Sequence, residues 1–192
     1  MTSSELTLLP DGAKQRHASR VGISIDGMSG GPDAGRRIAF ACAEFNGGIT
    51  DRLLTGALDA LEEAGADLGS ALVAWVPGAF ELPVIAQRLA QSKRVDAVVC
   101  LGAVIRGDTG HYDFVAGECA SGLQRVQLDT GIPVVFGVLT TDTVDQALVR
   151  SEANDANKGR EAALTALQTS AVLSEVASAR GEARVGFSGG RR

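Results

Sequence analysis

From residue 36 onward the chain alternates between short apolar runs and longer stretches in which apolar residues recur every three or four positions. Arg37–Ala43, Ala71–Val76, Val95–Ile105 and Pro133–Leu139 read as four strands, and their near-continuous apolar character suits strands covered on both faces. Between the first two, Leu53, Leu54, Ala57, Leu58, Leu61 and Ala64 follow a helical period. Thr50 stands where it can cap that helix and Gly65 where it can end it. Pro83 suits the first turn of a second helix that ends near Lys93. A third helix, after His111, carries Val115, Cys119, Leu123 and Val126 on one face. Thr140-Thr141-Asp142 predicts the cap of a short helix through Arg150, and a polar turn from Ser151 to Ala156 leads to a last helix, from about Asn157 to about Ala179. Strands alternating with helices predict an α/β fold, a three-layer α/β/α sandwich with a four-stranded parallel sheet.

Residues 1–35 break this pattern. They are rich in Gly and Ser, and their apolar pieces, Leu6–Leu9 and Val21–Ile25, are too short to build a core, so a flexible N-terminal extension is expected. Either piece is able to add an edge strand to a neighbouring subunit. Residues 181–192, rich in Gly and Arg, predict a disordered tail. That leaves residues 36–180 as one domain, long enough for a real core.

Charge and cysteine usage narrow the classes. With 18 basic and 23 acidic side chains the net charge is −5, which argues against nucleic acid or an anionic membrane as the main partner. No apolar run is long enough to span a bilayer, and the first residues lack a basic-then-apolar export pattern, so a cytoplasmic protein is expected. Cys42, Cys100 and Cys119 lack CxxC spacing and read as reduced, buried thiols; a zinc site with His111 as fourth ligand finds no support in the spacing. GxGxxG and GxxxxGK[ST] are absent, so neither a dinucleotide nor a nucleoside triphosphate is indicated.

The chemistry-bearing residues gather where strands stop. In an open parallel sheet these carboxyl ends share one edge, and ligands bind there. Phe45 and Asn46 follow the first strand, Ala79, Phe80 and Glu81 the second, and the loop from Arg106 to His111 the third. Two readings stand for most of them. Phe45 and Phe80 either pack under loops or stack on a flat heteroaromatic ligand. Glu81 either pairs with the positive end of its own helix or accepts hydrogen bonds from hydroxyl groups. Asp108 and Thr109 offer backbone N–H groups to a phosphate, although Asp108 brings its own negative charge. His111 either caps its own helix or does acid–base work, which suits a side chain type that titrates near neutrality. The other histidine, His17, lies in the extension. Arg150 ends a short helix, where a cation is favoured anyway, and Lys158 reads equally as a solvated charge.

Several stretches, taken in order, resemble the lumazine synthase family. They are Phe45-Asn46 with Ile49-Thr50, Val76-Pro77-Gly78-Ala79-Phe80-Glu81-Leu82-Pro83, Leu101-Gly102-Ala103-Val104-Ile105-Arg106-Gly107, His111-Tyr112-Asp113-Phe114, Phe136-Gly137-Val138-Leu139-Thr140 and Asn157-Lys158-Gly159. The resemblance runs from about Arg37 to Leu173.

It implies a flavodoxin-like fold and the penultimate step of riboflavin biosynthesis. In that reaction 5-amino-6-(D-ribitylamino)uracil condenses with 3,4-dihydroxy-2-butanone 4-phosphate, with no metal or organic cofactor. Catalysis of this kind rests mostly on positioning and proton shuttling. By the same resemblance Phe45 stacks on the pyrimidine, Asn46 and the backbone of Ala79 and Phe80 meet the ring and ribityl chain, and Glu81 binds ribityl hydroxyls. Val104 presents backbone groups to the pyrimidine edge. Asp108 and Thr109 hold the phosphate, Arg150 pairs with it through its guanidinium fork, and His111 transfers protons. Phe136 and Lys158 come from the adjacent subunit. Two positions depart from the family pattern: Asp108 stands where a neutral residue is commoner, and Gly110 where Thr or Pro is common.

The resemblance also implies a homo-oligomer with active sites at subunit interfaces, a pentamer that in many members builds an icosahedral 60-subunit shell. Shell-forming members have a short turn between the last two helices. Arg150 to Lys158 is short here, with Ser151–Ala156 in place of the usual glycine-rich turn. Riboflavin synthase is an expected partner. Two other classes compete: a carrier that holds a lumazine or flavin without turnover, and a shell-forming homologue without activity. His111, Arg150 and Glu81 together argue against the carrier, which needs neither a proton shuttle nor a phosphate clamp.

Overall fold

The computed structural model describes residues 35–185, together with residues 15 and 18–20. The rest of the expected N-terminal extension, with His17 and both apolar pieces, lies outside the described residues, as do residues 186–192. The elements are β1 (Ile38–Ala43), α1 (Gly47–Glu63), β2 (Leu72–Val76), α2 (Leu82–Gln91), β3 (Ala97–Ile105), α3 (His111–Thr130), β4 (Val134–Thr141), α4 (Val144–Val149) and α5 (Lys158–Val185). The four strands pair in parallel, in the order β2-β1-β3-β4.

Strand geometry explains the layers. Successive residues of a strand point to opposite faces, so a strand apolar at every position needs cover on both. All six residues of β1 are buried. Ile38, Phe40 and Cys42 pack among Leu53 and Leu61 of α1 and Ala163 and Ala166 of α5. Ala39, Ala41 and Ala43 pack among Leu82 and Ala86 of α2 and Leu123 of α3. The result is the expected three-layer sandwich. Outermost β2 leaves Leu72, Val73 and Trp75 exposed. The three cysteines are buried and free. Burial pushes the Cys42 and Cys119 thiols up to about 12 and Cys100 well above the ordinary thiol range, so all three remain protonated, as their apolar settings suggested.

Three local readings are corrected. Thr50 does not cap α1. The helix begins at Gly47, behind Asn46, whose φ of 59° turns the chain through the left-handed region that asparagine tolerates better than most residues. Thr50 is inside the helix and buried, and its hydroxyl has no hydrogen-bond partner among the described residues. Nor does Thr140-Thr141-Asp142 cap the short helix. Thr140 and Thr141 stay in β4, paired with Val104 and Ile105, and Thr143 takes the cap by accepting the Gln146 N–H at 3.2 Å. The last helix also runs past Gly181 to Val185. A single glycine costs a helix only about 1 kcal/mol relative to alanine, and Glu182, Ala183 and Arg184 are good helix formers.

Candidate active site at the carboxyl edge of the sheet

With strand order β2-β1-β3-β4, the chain leaves β1 toward one side of the sheet and β3 toward the other. The crevice beyond their carboxyl ends is the switch point at which open α/β sheets bind ligands. A cavity of about 760 Å³ lies there.

Three strand ends build it. After β1, the Glu44 N–H donates to Val76 C=O at 2.8 Å and the Phe45 N–H to Pro77 C=O at 3.0 Å, which carries the β1–β2 ladder into the loops. Phe45 therefore lines the cavity from a fixed main chain, and the residue is 72% exposed. After β2, a single 3-10 turn, Ala79–Glu81, sets Phe80 and Glu81 on the cavity wall, with Ala79 buried behind them. Phe80 is 57% exposed. Neither ring packs under a loop, which leaves both free to cover a flat ligand. After β3, Val104 lines the floor, and Gly107, Thr109 and His111 line one side.

His111 is the first residue of α3. The N-cap, Gly110, has no side chain to satisfy the first N–H groups of the helix. The Thr109 hydroxyl accepts the His111 N–H at 3.4 Å, a long bond that an anion can replace. Asp108 does not line the cavity, although Gly107 and Thr109 on either side do. That arrangement lets the loop offer its backbone to an anion without presenting the Asp108 carboxylate.

Asn46 does not line the cavity either. Its side-chain amide donates to Ala103 C=O at 2.9 Å and so ties the β1–α1 loop to β3. Several lining residues escaped the sequence reading as site residues, the aromatic Tyr112 and Phe114 among them. Phe114 is 72% exposed. Its signal was spacing: it lies three residues beyond His111, on the same side of α3.

The remaining expected residues are elsewhere. Phe136, Arg150 and Lys158 line a second cleft of about 380 Å³ along β4, at the opposite edge of the sheet from β2. Within one chain Arg150 therefore does not join the loop of Asp108 and Thr109, contrary to the simplest reading of a phosphate clamp. Arg150 Nη1 donates to Gln146 C=O at 2.9 Å, and Lys158 pairs with Glu161. The Lys158 N–H donates to Arg150 C=O at 2.9 Å, which holds the two cationic residues side by side.

The fold and the cavity define a flavodoxin-like α/β domain with a switch-point cavity lined by aromatic rings, a carboxylate and a histidine, and a second cleft along β4 that carries two cations. Residues 35–174 match the family described as 6,7-dimethyl-8-ribityllumazine synthase. A protein of Edwardsiella ictaluri (strain 93-146) that bears this name is 53% identical over 154 residues, covering 80% of this chain and 97% of the relative. One of Sodalis glossinidius (strain morsitans) with the same name is 52% identical over 153 residues, covering 79% and 97%. The chain belongs to the lumazine synthase family.

Proposed function

We propose that this protein is a 6,7-dimethyl-8-ribityllumazine synthase. It condenses 5-amino-6-(D-ribitylamino)uracil with 3,4-dihydroxy-2-butanone 4-phosphate and releases phosphate and water. The observation that carries this reading is the switch-point cavity, where three exposed phenyl rings, a carboxylate and a histidine at a helix N-terminus with no N-cap side chain face one space.

The chemistry follows from the residues. Phe45 and Phe80 cover the pyrimidine, Glu81 accepts hydrogen bonds from the ribityl hydroxyls, and the backbone around Ala79 and Val104 meets the ring edge. The amino group attacks the ketone and an imine forms. The N–H groups at Thr109 and at the start of α3 hold the phosphate until it leaves. His111 moves the protons that imine formation, phosphate departure and ring closure require. Holding both reactants in one orientation supplies much of the acceleration.

The second cleft completes the site from a neighbouring subunit: Phe136 on the ring, Arg150 and Lys158 on the phosphate. The separation of the two clefts in one chain supports this division. A pentamer with one heterologous interface repeated around a ring brings each first cleft to a second. The short connection from Ser151 to Asn157 supports further packing of pentamers into the 60-subunit shell, with riboflavin synthase its candidate partner. A cytoplasmic setting accords with three cysteines held as buried thiols.

The test is lumazine formation, followed by absorbance, with purified protein of known native mass. Product formation that His111→Ala and Arg150→Ala slow without changing the mass supports the assignment. Wild-type oligomer that binds the pyrimidine yet makes no product above the spontaneous background overturns it in favour of a carrier or a shell.

A further inference from the structure

Asn157 lies between the two cations of the second cleft in sequence, and its side chain bonds to main-chain groups on both sides. The residue is 1% exposed. Its Nδ2 donates to the carbonyls of Arg52 (3.3 Å), Ser151 (3.1 Å) and Glu152 (3.0 Å). Its Oδ1 accepts the N–H groups of Gly159 (2.8 Å) and Arg160 (3.2 Å). A carboxamide has two N–H groups and one carbonyl oxygen, so its capacity is fully used and one N–H is shared. From α1, Gly56 presses against the same group: a Cβ there would lie 2.6 Å from it.

These bonds have two distinct effects. The Oδ1 bonds cap α5, which is a matter of stability. The Nδ2 bonds fix the two residues that directly follow Arg150, and they anchor them to α1. The connection they fill is closed at its base by the Lys158 N–H on Arg150 C=O. Asn157 thus sets where the main chains of both cations stand, although it touches neither charged head.

We infer that Asn157 is a positioning residue for the phosphate-bearing substrate, holding Arg150 and Lys158 at the spacing at which both reach one phosphate. This rests on the proposed role of those two cations. An aspartate at this position keeps the oxygen that caps α5 and turns the other half against three carbonyl oxygens. A serine keeps a cap and removes the clamp. The two effects are therefore separable.

The experiment measures both KM values in assembled Asn157→Asp, Asn157→Ser and Asn157→Ala proteins, with thermal stability alongside. The expected result is a KM for the phosphate-bearing substrate raised at least about tenfold, with the pyrimidine KM within about twofold of wild type. Inorganic phosphate, used as a competitive inhibitor, weakens in parallel. Ser recovers part of the stability lost in Ala, and neither Ser nor Asp recovers the KM. Gly56→Ala, which pushes a methyl group onto the intact carboxamide, reproduces the KM pattern and serves if the Asn157 variants do not fold. The inference is overturned if any folded, assembled variant leaves the phosphate-side KM unchanged, or if both KM values rise together. Arg150→Ala and Lys158→Ala are the control. If they leave the phosphate-side KM unchanged, the role of the cations fails; if they raise it and the Asn157 variants do not, only the positioning role fails.

Discussion

The guanidinium of Arg106 lies 4.0 Å from the centre of the Tyr112 ring. The same group donates to Asp113 at 3.2 Å and to Asp142 at 3.1 Å. One side chain thus joins the end of β3, the first turn of α3 and the loop after β4, and the segment it brackets ends in His111.

Both ion pairs are solvent-exposed and Tyr112 is only partly buried, so their joint effect is on loop order more than on global stability. Arg106→Leu is expected to leave the melting temperature nearly unchanged, to speed amide exchange across residues 107–114, and to lower kcat/KM about tenfold through misplacement of His111. Arg106→Lys does not rescue, because an ammonium cannot donate in a fork and stack at once. Unchanged exchange in that segment would show that the contacts order nothing.

The proposed division of the site between subunits predicts complementation. His111→Ala and Arg150→Ala proteins are each slow alone. Dissociated, mixed in equal amounts and reassembled, they should regain about a quarter of the wild-type sites, since each restored site takes its histidine from one parent and its arginine from the other. A mixture no faster than its parents, with subunit exchange confirmed by mass, is the outcome that would sink the shared site.

Gly159 is the point where α5 crosses α1. A Cβ there would lie 1.8 Å from the Leu53 carbonyl oxygen, which is backbone and cannot rotate away. Gly159→Ala should cost more than about 3 kcal/mol in urea unfolding, because the helices must separate and open the core between them. A loss under about 1 kcal/mol would mean that α5 shifts freely.

At the other edge of the sheet the Asp96 carboxylate accepts from Arg37 three times: the backbone N–H at 2.8 Å, Nε at 3.1 Å and Nη2 at 3.0 Å. These hydrogen bonds, aided by the cation's charge, hold the carboxyl below the usual range for aspartate, against the opposing effect of partial burial. A carboxylate whose folded-state pKa is depressed adds stability that is complete above its unfolded value and is lost as pH falls through the folded one. Asp96→Asn should therefore lower the urea midpoint at pH 7, and the gap to wild type should close from about pH 4 downward. An equal gap at pH 7 and pH 3 contradicts the charge-dependent account.

The sheet was legible because burial on both faces leaves a direct mark on composition. Runs such as Ile38 to Ala43 and Ala97 to Ile105 are apolar at every position, and few other structures produce that. Strand ends were legible for the same reason, and with them Phe45, Phe80, Glu81 and His111. Caps were harder to read. Thr50 and Thr140 have the right chemistry at nearly the right places, but the turn through Asn46 and the pairing of Thr140 with Val104 override local preference.

By itself the sequence determined the α/β class, the four strands, and the set of residues that gather at the carboxyl edge, because each of these follows from local spacing and chain order. Only the tertiary structure decided which of them share a space. Arg150 and Lys158 stand beside Phe136 along β4, and Asn46 and Asn157 turn their amides to main-chain carbonyls. Those outcomes depend on strand order and on where helices cross, and both arise from contacts between residues far apart in the chain, such as Asn157 and Arg52. No periodicity within a single segment encodes them.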